Sequence, residues 1–213
     1  MKFLARLVPA VFSVLALAGC YFDHPLTARP SKDINTWLLG VWESKDDKGR
    51  VSRVMVTPDN ADHYAVQLAV PGKKPGEIKR YEFQAWPSKV GGTLFLSMRC
   101  LASPGDIPAG SYVFSQVQLL DQNDVRIHGL KLDSPPSASS YELRKEVRSK
   151  LKERSLYEGA PSVVWTRVEE VFWSKNGADP AFKPIRNQRG VFWGADDDDQ
   201  DRTRRLFRNS FNN

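Results

Sequence analysis

Cysteine and histidine are scarce in this chain: its 213 residues hold two Cys (Cys20, Cys100) and three His (His24, His63, His128). Two cysteines close at most one disulfide, so stability has to come from packing rather than covalent cross-links. The histidines stand far apart, and no His-x-x-x-His or Cys-x-x-Cys spacing offers a metal site. Gly-x-Ser-x-Gly elbows, phosphate-cradling loops and dinucleotide fingerprints are missing as well. The chain therefore reads as a non-enzymatic protein without cofactor or metal. A hydrolase site assembled from distant residues stays open as the lesser alternative, since it leaves no local trace. No basic stretch is interleaved with aromatics, which argues against a nucleic-acid partner. There is no internal repeat.

Long apolar runs are also lacking. Residues 7–18 form an apolar stretch broken by Pro9 and Ser13, and it falls short of the about 20 residues that span a bilayer. Lys2 and Arg6 precede it, and small Ala18 and Gly19 lead into Cys20, which is the order of a secretory leader. Leu17-Ala18-Gly19-Cys20 resembles the bacterial lipobox. That resemblance implies a diacylglyceryl group on the Cys20 sulfur, cleavage between Gly19 and Cys20, and an anchor of two or three fatty acyl chains. One acyl chain holds a protein to a membrane only marginally, whereas two or more hold it firmly. The other readings are an ordinary secretory leader or a cytosolic protein with an apolar start; the agreement of basic, apolar and lipobox parts favours the lipoprotein. Tyr21 stands where an Asp would retain such a protein in the inner membrane, so the bacterial cell envelope, on the outer-membrane side, is the expected address. Loss of Lys2 and Arg6 with the leader lowers the net charge from +6 to +4. Acylation of Cys20 would leave Cys100 without a disulfide partner, and its apolar surroundings over residues 94–101 mark it as a small core residue.

Beyond the leader, residues 20–36 are polar with Pro25, Pro30 and Ser31, and read as a flexible tether. An ordered domain is expected over 37–173, followed by a polar, disordered tail over 174–213. Tyr64, Val66, Leu68 and Val70 alternate with Ala65, Gln67 and Ala69, a period of two that marks a half-buried strand. Similar segments recur between turn signals: 50–57, 81–85, 94–101, 112–120, 125–132 and, later, 162–168. Strands at such short, regular spacing predict an antiparallel meander closing into a barrel or sandwich. The period changes after Pro135-Pro136. Ser139-Ser140-Tyr141-Glu142 is a capping box, and Leu143, Val147 and Leu151 share one helical face. One amphipathic helix over 140–157 is expected, packed across an open end of the barrel. Its Arg144, Lys145, Arg148, Lys150, Lys152 and Arg154 could touch lipid phosphates, but a solvated face mixed with Glu142, Glu146 and Glu153 is the favoured reading. In the tail, Asp196 to Asp199 and Asp201 lack the spacing of a Ca²⁺ loop and are nearly neutralised by Arg202, Arg204, Arg205 and Arg208.

One constellation resembles a known family. Gly40-x-Trp42 with the later Trp165-x-Arg167 is similar to the lipocalin pattern, in which a Gly-x-Trp on the first strand closes the barrel floor and an Arg from the last strand stacks over the indole. The resemblance implies a lipocalin-like barrel over residues 37–168 with Trp42 and Arg167 as a structural pair. The family's Thr-Asp-Tyr motif is absent; Asp62-His63-Tyr64 comes too early in strand order. Two functions are compatible with such a barrel. The first binds a small apolar or lipid-like ligand in the lumen, with Tyr64, Tyr81, Phe83, Phe95, Tyr112 and Phe114 lining it. The second is an envelope interaction or assembly protein with a filled core and protein partners that the sequence does not name. A continuous cavity of about 300 Å³ or more would separate the two.

Overall fold

The computed structural model describes residues 21–31, 34–153, 155–158, 160–172 and 181–184. Nine strands appear in chain order: β1 Gly40–Lys45, β2 Val51–Pro58, β3 Tyr64–Pro71, β4 Ile78–Val90, β5 Thr93–Ala102, β6 Tyr112–Leu119, β7 Asp124–Gly129, β8 Ser162–Phe172 and β9 Ala181–Pro184. Each of β1 to β8 pairs antiparallel with its neighbour, and β1 also pairs with β8, Trp42 opposite Arg167. An eight-stranded meander thereby closes on itself, which leaves none of those eight strands as an open edge. The last strand, β9, extends the sheet along β8, Val171 opposite Phe182. It falls in the segment read as a disordered tail and corrects that reading for these four residues; the acidic run at 196–201 and its arginines lie outside the described residues.

Strand alternation decides what faces the lumen. Trp42 lies opposite Val54, Val54 opposite Leu68 and Leu68 opposite Tyr81, and these share the inner face. Continuing round, Phe83 faces Cys100, Met98 faces Val113, Val117 faces Ile127, and Val125 faces Trp165. Tyr64, Tyr81, Phe83, Cys100 and Val113 belong to one buried cluster, and Trp42, Val125 and Trp165 to an adjoining one. Together they fill the barrel.

A third cluster lies outside the lumen. Val90, Phe95 and Phe114 sit on the outer faces of β4, β5 and β6, yet they are buried at 1%, 1% and 4% exposure. Phe22, Leu26, Leu130, Leu132, Leu143, Val147 and Leu156 cover them. Residues 94–101 are apolar on both faces for this reason: one face packs the lumen and the other packs a layer outside it. Phe95, Tyr112 and Phe114, expected as lumen residues, belong to this outer wall. A strand buried on both sides carries no alternation to reveal which face is which.

The helix α1, Ser140–Glu153, forms that outer layer. Its N-terminus is fixed by the expected box: Glu142 accepts from the Ser139 amide at 2.8 Å and from its hydroxyl at 2.7 Å. Within its first two turns Leu143 and Val147 are fully buried, and Leu151 comes close enough to the β4–β5 turn that a Cβ at Gly91 would sit 3.4 Å from it. The helix therefore lies along the barrel wall, not across an open end as expected. The apolar stripe needs an apolar partner, and the sheet's open ends are already occupied by other residues.

The loop before α1 is locked to it by charge. Glu146 accepts from the amides of Asp133 and Ser134 and from the Ser134 hydroxyl, and Lys150 bridges to Asp133 at 2.7 Å and to Glu146 at 3.3 Å. Burial pushes the Glu146 carboxyl up, but these donors outweigh it and hold the group below its ordinary value of 4.5. A depressed carboxyl contributes stability above its unfolded pKa and loses it as pH falls through the folded one. The stability gap between wild type and Glu146→Gln, followed by urea denaturation, should therefore shrink on going from about pH 5 to about pH 3.

The segment read as a tether is also built into this layer. Phe22 exchanges two backbone hydrogen bonds with Tyr112, at 2.9 and 2.7 Å, and stacks on Phe114 at 5.2 Å. The Leu26 amide donates to Ser97 Oγ at 3.3 Å, and Trp86 Nε1 donates to the Thr27 carbonyl at 3.1 Å. Phe22 and Leu26 are 2% and 0% exposed. Polar composition concealed two apolar residues whose burial stabilises the segment by about 1.5–3 kcal/mol each. The flexible-tether reading is thereby corrected for residues 21–31.

Candidate functional site

The lumen and its two ends are the first place to look for a ligand. At one end a 3-10 turn, Thr36–Leu38, folds over the strands, capped by the Asn35 side chain on the Trp37 amide. Tyr64 reaches up from β3 and latches the turn: its hydroxyl accepts from the Asn35 amide at 2.6 Å and donates to the Asn35 carbonyl at 3.3 Å. Burial pushes that phenol up to about 12, so it stays protonated at any physiological pH.

Beneath the turn, the structure brings Trp42 and Arg167 together. The Arg167 guanidinium carbon is 4.5 Å from the Trp42 ring centroid and 5.4 Å from that of Trp37, while Nη2 donates to the Trp37 carbonyl. Trp42 Nε1 donates to the Leu38 carbonyl at 3.0 Å. The cation is thus held between two indoles, a contact worth about 0.5–2 kcal/mol for each face. Gly40 permits the approach of β8. Its φ is +146°, and a Cβ there would stand 2.5 Å from the Glu169 carbonyl oxygen. Gly40→Ala is expected to cost more than about 1 kcal/mol, read as a lowered urea midpoint with unchanged slope.

The other end is closed by the β5–β6 loop. Ile107, 2% exposed, inserts into the luminal cluster. Asp106 accepts from the Tyr81 hydroxyl at 2.6 Å and from Lys79 Nζ at 3.0 Å. Burial and the Asp106 charge both push the Tyr81 phenol up. Cys100 packs under this loop, 1% exposed, with its Sγ 3.8 Å from the Ile107 carbonyl, and burial pushes its thiol up.

A cavity of about 100 Å³ lies under the 3-10 turn, lined by Asn35, Leu38, Tyr64, Pro87, Leu94, Phe95, Leu96, Val117 and Leu119. Small-molecule sites usually enclose about 300–1,000 Å³, so this one takes a few heavy atoms and no lipid chain.

The histidines do not converge. His24 is exposed, and His63 pairs with its neighbour Asp62 at 2.5 Å. His128 points outward beside Tyr157, where burial lowers its pKa. Among the described residues no group of three or more His, Cys, Asp or Glu is placed to hold a metal. Gly19 and Cys20 lie outside the described residues.

The outer surface holds the larger feature, a groove of about 600 Å³ between α1 and the layer beneath it. Thr27, Lys89, Tyr141, Arg144, Lys145, Arg148, Ser149 and Lys152 line it, five cations and no acid. The sequence reading named these helix cations as groups that could touch lipid phosphates but favoured a solvated face, because it counted the helix's charges together, and it did not foresee the groove. The signal was present: residues 141, 145, 148 and 152 recur at helical spacing and share one face.

No family model, curated protein or solved structure matches this chain. Its likeness to a lipocalin barrel therefore rests on strand order, closure and the Trp42–Arg167 contact alone.

Proposed function

We propose that the chain is a bacterial lipoprotein, anchored through acylated Cys20 in the cell envelope, whose filled barrel is a rigid, non-enzymatic scaffold that works through its outer surface. The observation that carries the choice is the lumen. Trp42, Tyr64, Tyr81 and Phe83 occupy it, both ends are covered, and the cavity under the 3-10 turn is about 100 Å³. The anchor rests on the Leu17-Ala18-Gly19-Cys20 box behind its basic and apolar leader.

A second reading keeps the lumen as a binding site, and the apolar lining of that cavity favours it. It would require the 3-10 turn to swing away and release the Tyr64 latch. Titration with a fluorescent fatty acid decides between the two. The filled scaffold predicts no saturable quenching of tryptophan emission; saturable one-to-one quenching at micromolar probe would overturn it.

A further inference from the structure

The acidic and basic residues of α1 are segregated by the fold. At about 100° per residue, Tyr141, Lys145, Arg148 and Lys152 form one stripe, while Glu142, Glu146 and Glu153 form another. Every acid on the second stripe is engaged: Glu142 caps the helix, Glu146 holds the preceding loop, and Glu153 accepts from Ser149 at 2.7 Å. No ion pair among the described residues involves Lys89, Arg144, Lys145, Arg148 or Lys152. Lys89 joins them from the end of β4, held by the bond from its amide to Ser31 Oγ at 2.8 Å. Arg144 is braced by the Leu26 carbonyl at 3.5 Å. Five cations thus share one groove with no carboxylate in its lining.

The position of the groove in the chain matters as much as its charge. Thr27, in its wall, is seven residues from Cys20, a span of no more than about 25 Å even if fully extended. The intervening Phe22 and Leu26 are buried against the barrel, so no slack remains to lift the domain away from an anchor at residue 20. Tyr141, 67% exposed, stands beside the cations, an amphipathic ring of the kind enriched at membrane interfaces.

We infer that the Lys89–α1 groove is a docking surface for the phosphate headgroups of anionic phospholipids in the membrane that carries the anchor. The inference rests on the lipoprotein reading and adds an orientation to it: the outer layer of Phe22, Leu26 and α1, packed on β4, β5 and β6, faces the bilayer, and the β1–β2 turn, on strands that layer does not cover, faces away. Each cation near an anionic surface contributes about a fivefold gain in binding, screened beyond a Debye length.

The test uses the intact acylated protein, reconstituted into phosphatidylcholine vesicles with or without phosphatidylglycerol, and labelled with a water-soluble amine acetylating reagent. Flotation with the neutral vesicles reads the anchor by itself. On the anionic vesicles, Lys89, Lys145 and Lys152 should be acetylated at least about fivefold more slowly than on the neutral ones. Lys48, in the β1–β2 turn, should react equally on both. Raising the salt should abolish the protection, and Arg148→Gln combined with Lys145→Gln should weaken it at Lys89 without changing flotation. Flotation with equal labelling on both vesicles would overturn the docking surface and leave the anchor standing; failure to float would overturn the lipoprotein reading. Protection by inorganic phosphate on neutral vesicles, as strong as that by phosphatidylglycerol, would show a small-anion site and refute a lipid surface.

Discussion

Cys20→Ala is expected to abolish incorporation of labelled palmitate during growth, where the wild-type chain takes up label. Acylation needs the thiolate as nucleophile, and no other residue of the leader supplies one. With residues 1–19 exchanged for an ordinary cleavable leader, the Cys20→Ala chain should leave the membrane pellet and appear in the soluble periplasmic fraction. The fold should persist, because the three buried clusters are assembled from residues 22–165. Near-UV circular dichroism of the released chain should match that of the wild type. Label in the Cys20→Ala chain would show acylation elsewhere and refute the lipobox reading.

Trp42→Ala should lower the unfolding free energy by about 3–5 kcal/mol, the usual cost of deleting a buried tryptophan. The effect is expected at the high end for two reasons. The indole is 2% exposed and fully packed, and its removal takes away one of the two faces that enclose the Arg167 guanidinium. A buried cation that loses part of its surroundings adds a desolvation cost to the cavity cost. Urea unfolding measures it, and Trp42→Phe is the informative control. Phenylalanine keeps a ring over the cation but no donor to Leu38, so its loss should be the smaller. A loss under about 1 kcal/mol for Trp42→Ala would mean that this end of the barrel is not a stability centre.

The strand pattern was legible because period-two alternation survives wherever one face is lumen and the other is solvent, as in Tyr64 to Val70. Pairing of Trp42 with Arg167 was legible from a motif, in which Gly40 leaves room for β8 and the indole face attracts the guanidinium. The outer layer was not legible. Residues 94–101 show no alternation, because Leu96 and Met98 serve the lumen while Phe95 serves the wall. Nor does a polar segment advertise that Phe22 and Leu26 are its structural content. Without that layer, the helix had no apparent wall to pack on and was placed at an open end. Charge segregation on α1 was readable at helical spacing, but which acids were already engaged is a tertiary fact. Glu146 binds a loop 12 and 13 residues upstream, and no local rule exposes that.

Native mass spectrometry of the protein extracted from its own membranes in mild detergent reads the anchor and the filled barrel together. The expected result is a mature chain that begins at Cys20 and carries a diacylglyceryl group, with or without one further acyl chain, and holds no apolar guest in the barrel. An uncleaved or unacylated chain would contradict the anchor, and a stoichiometric apolar guest surviving transfer would contradict the filled barrel.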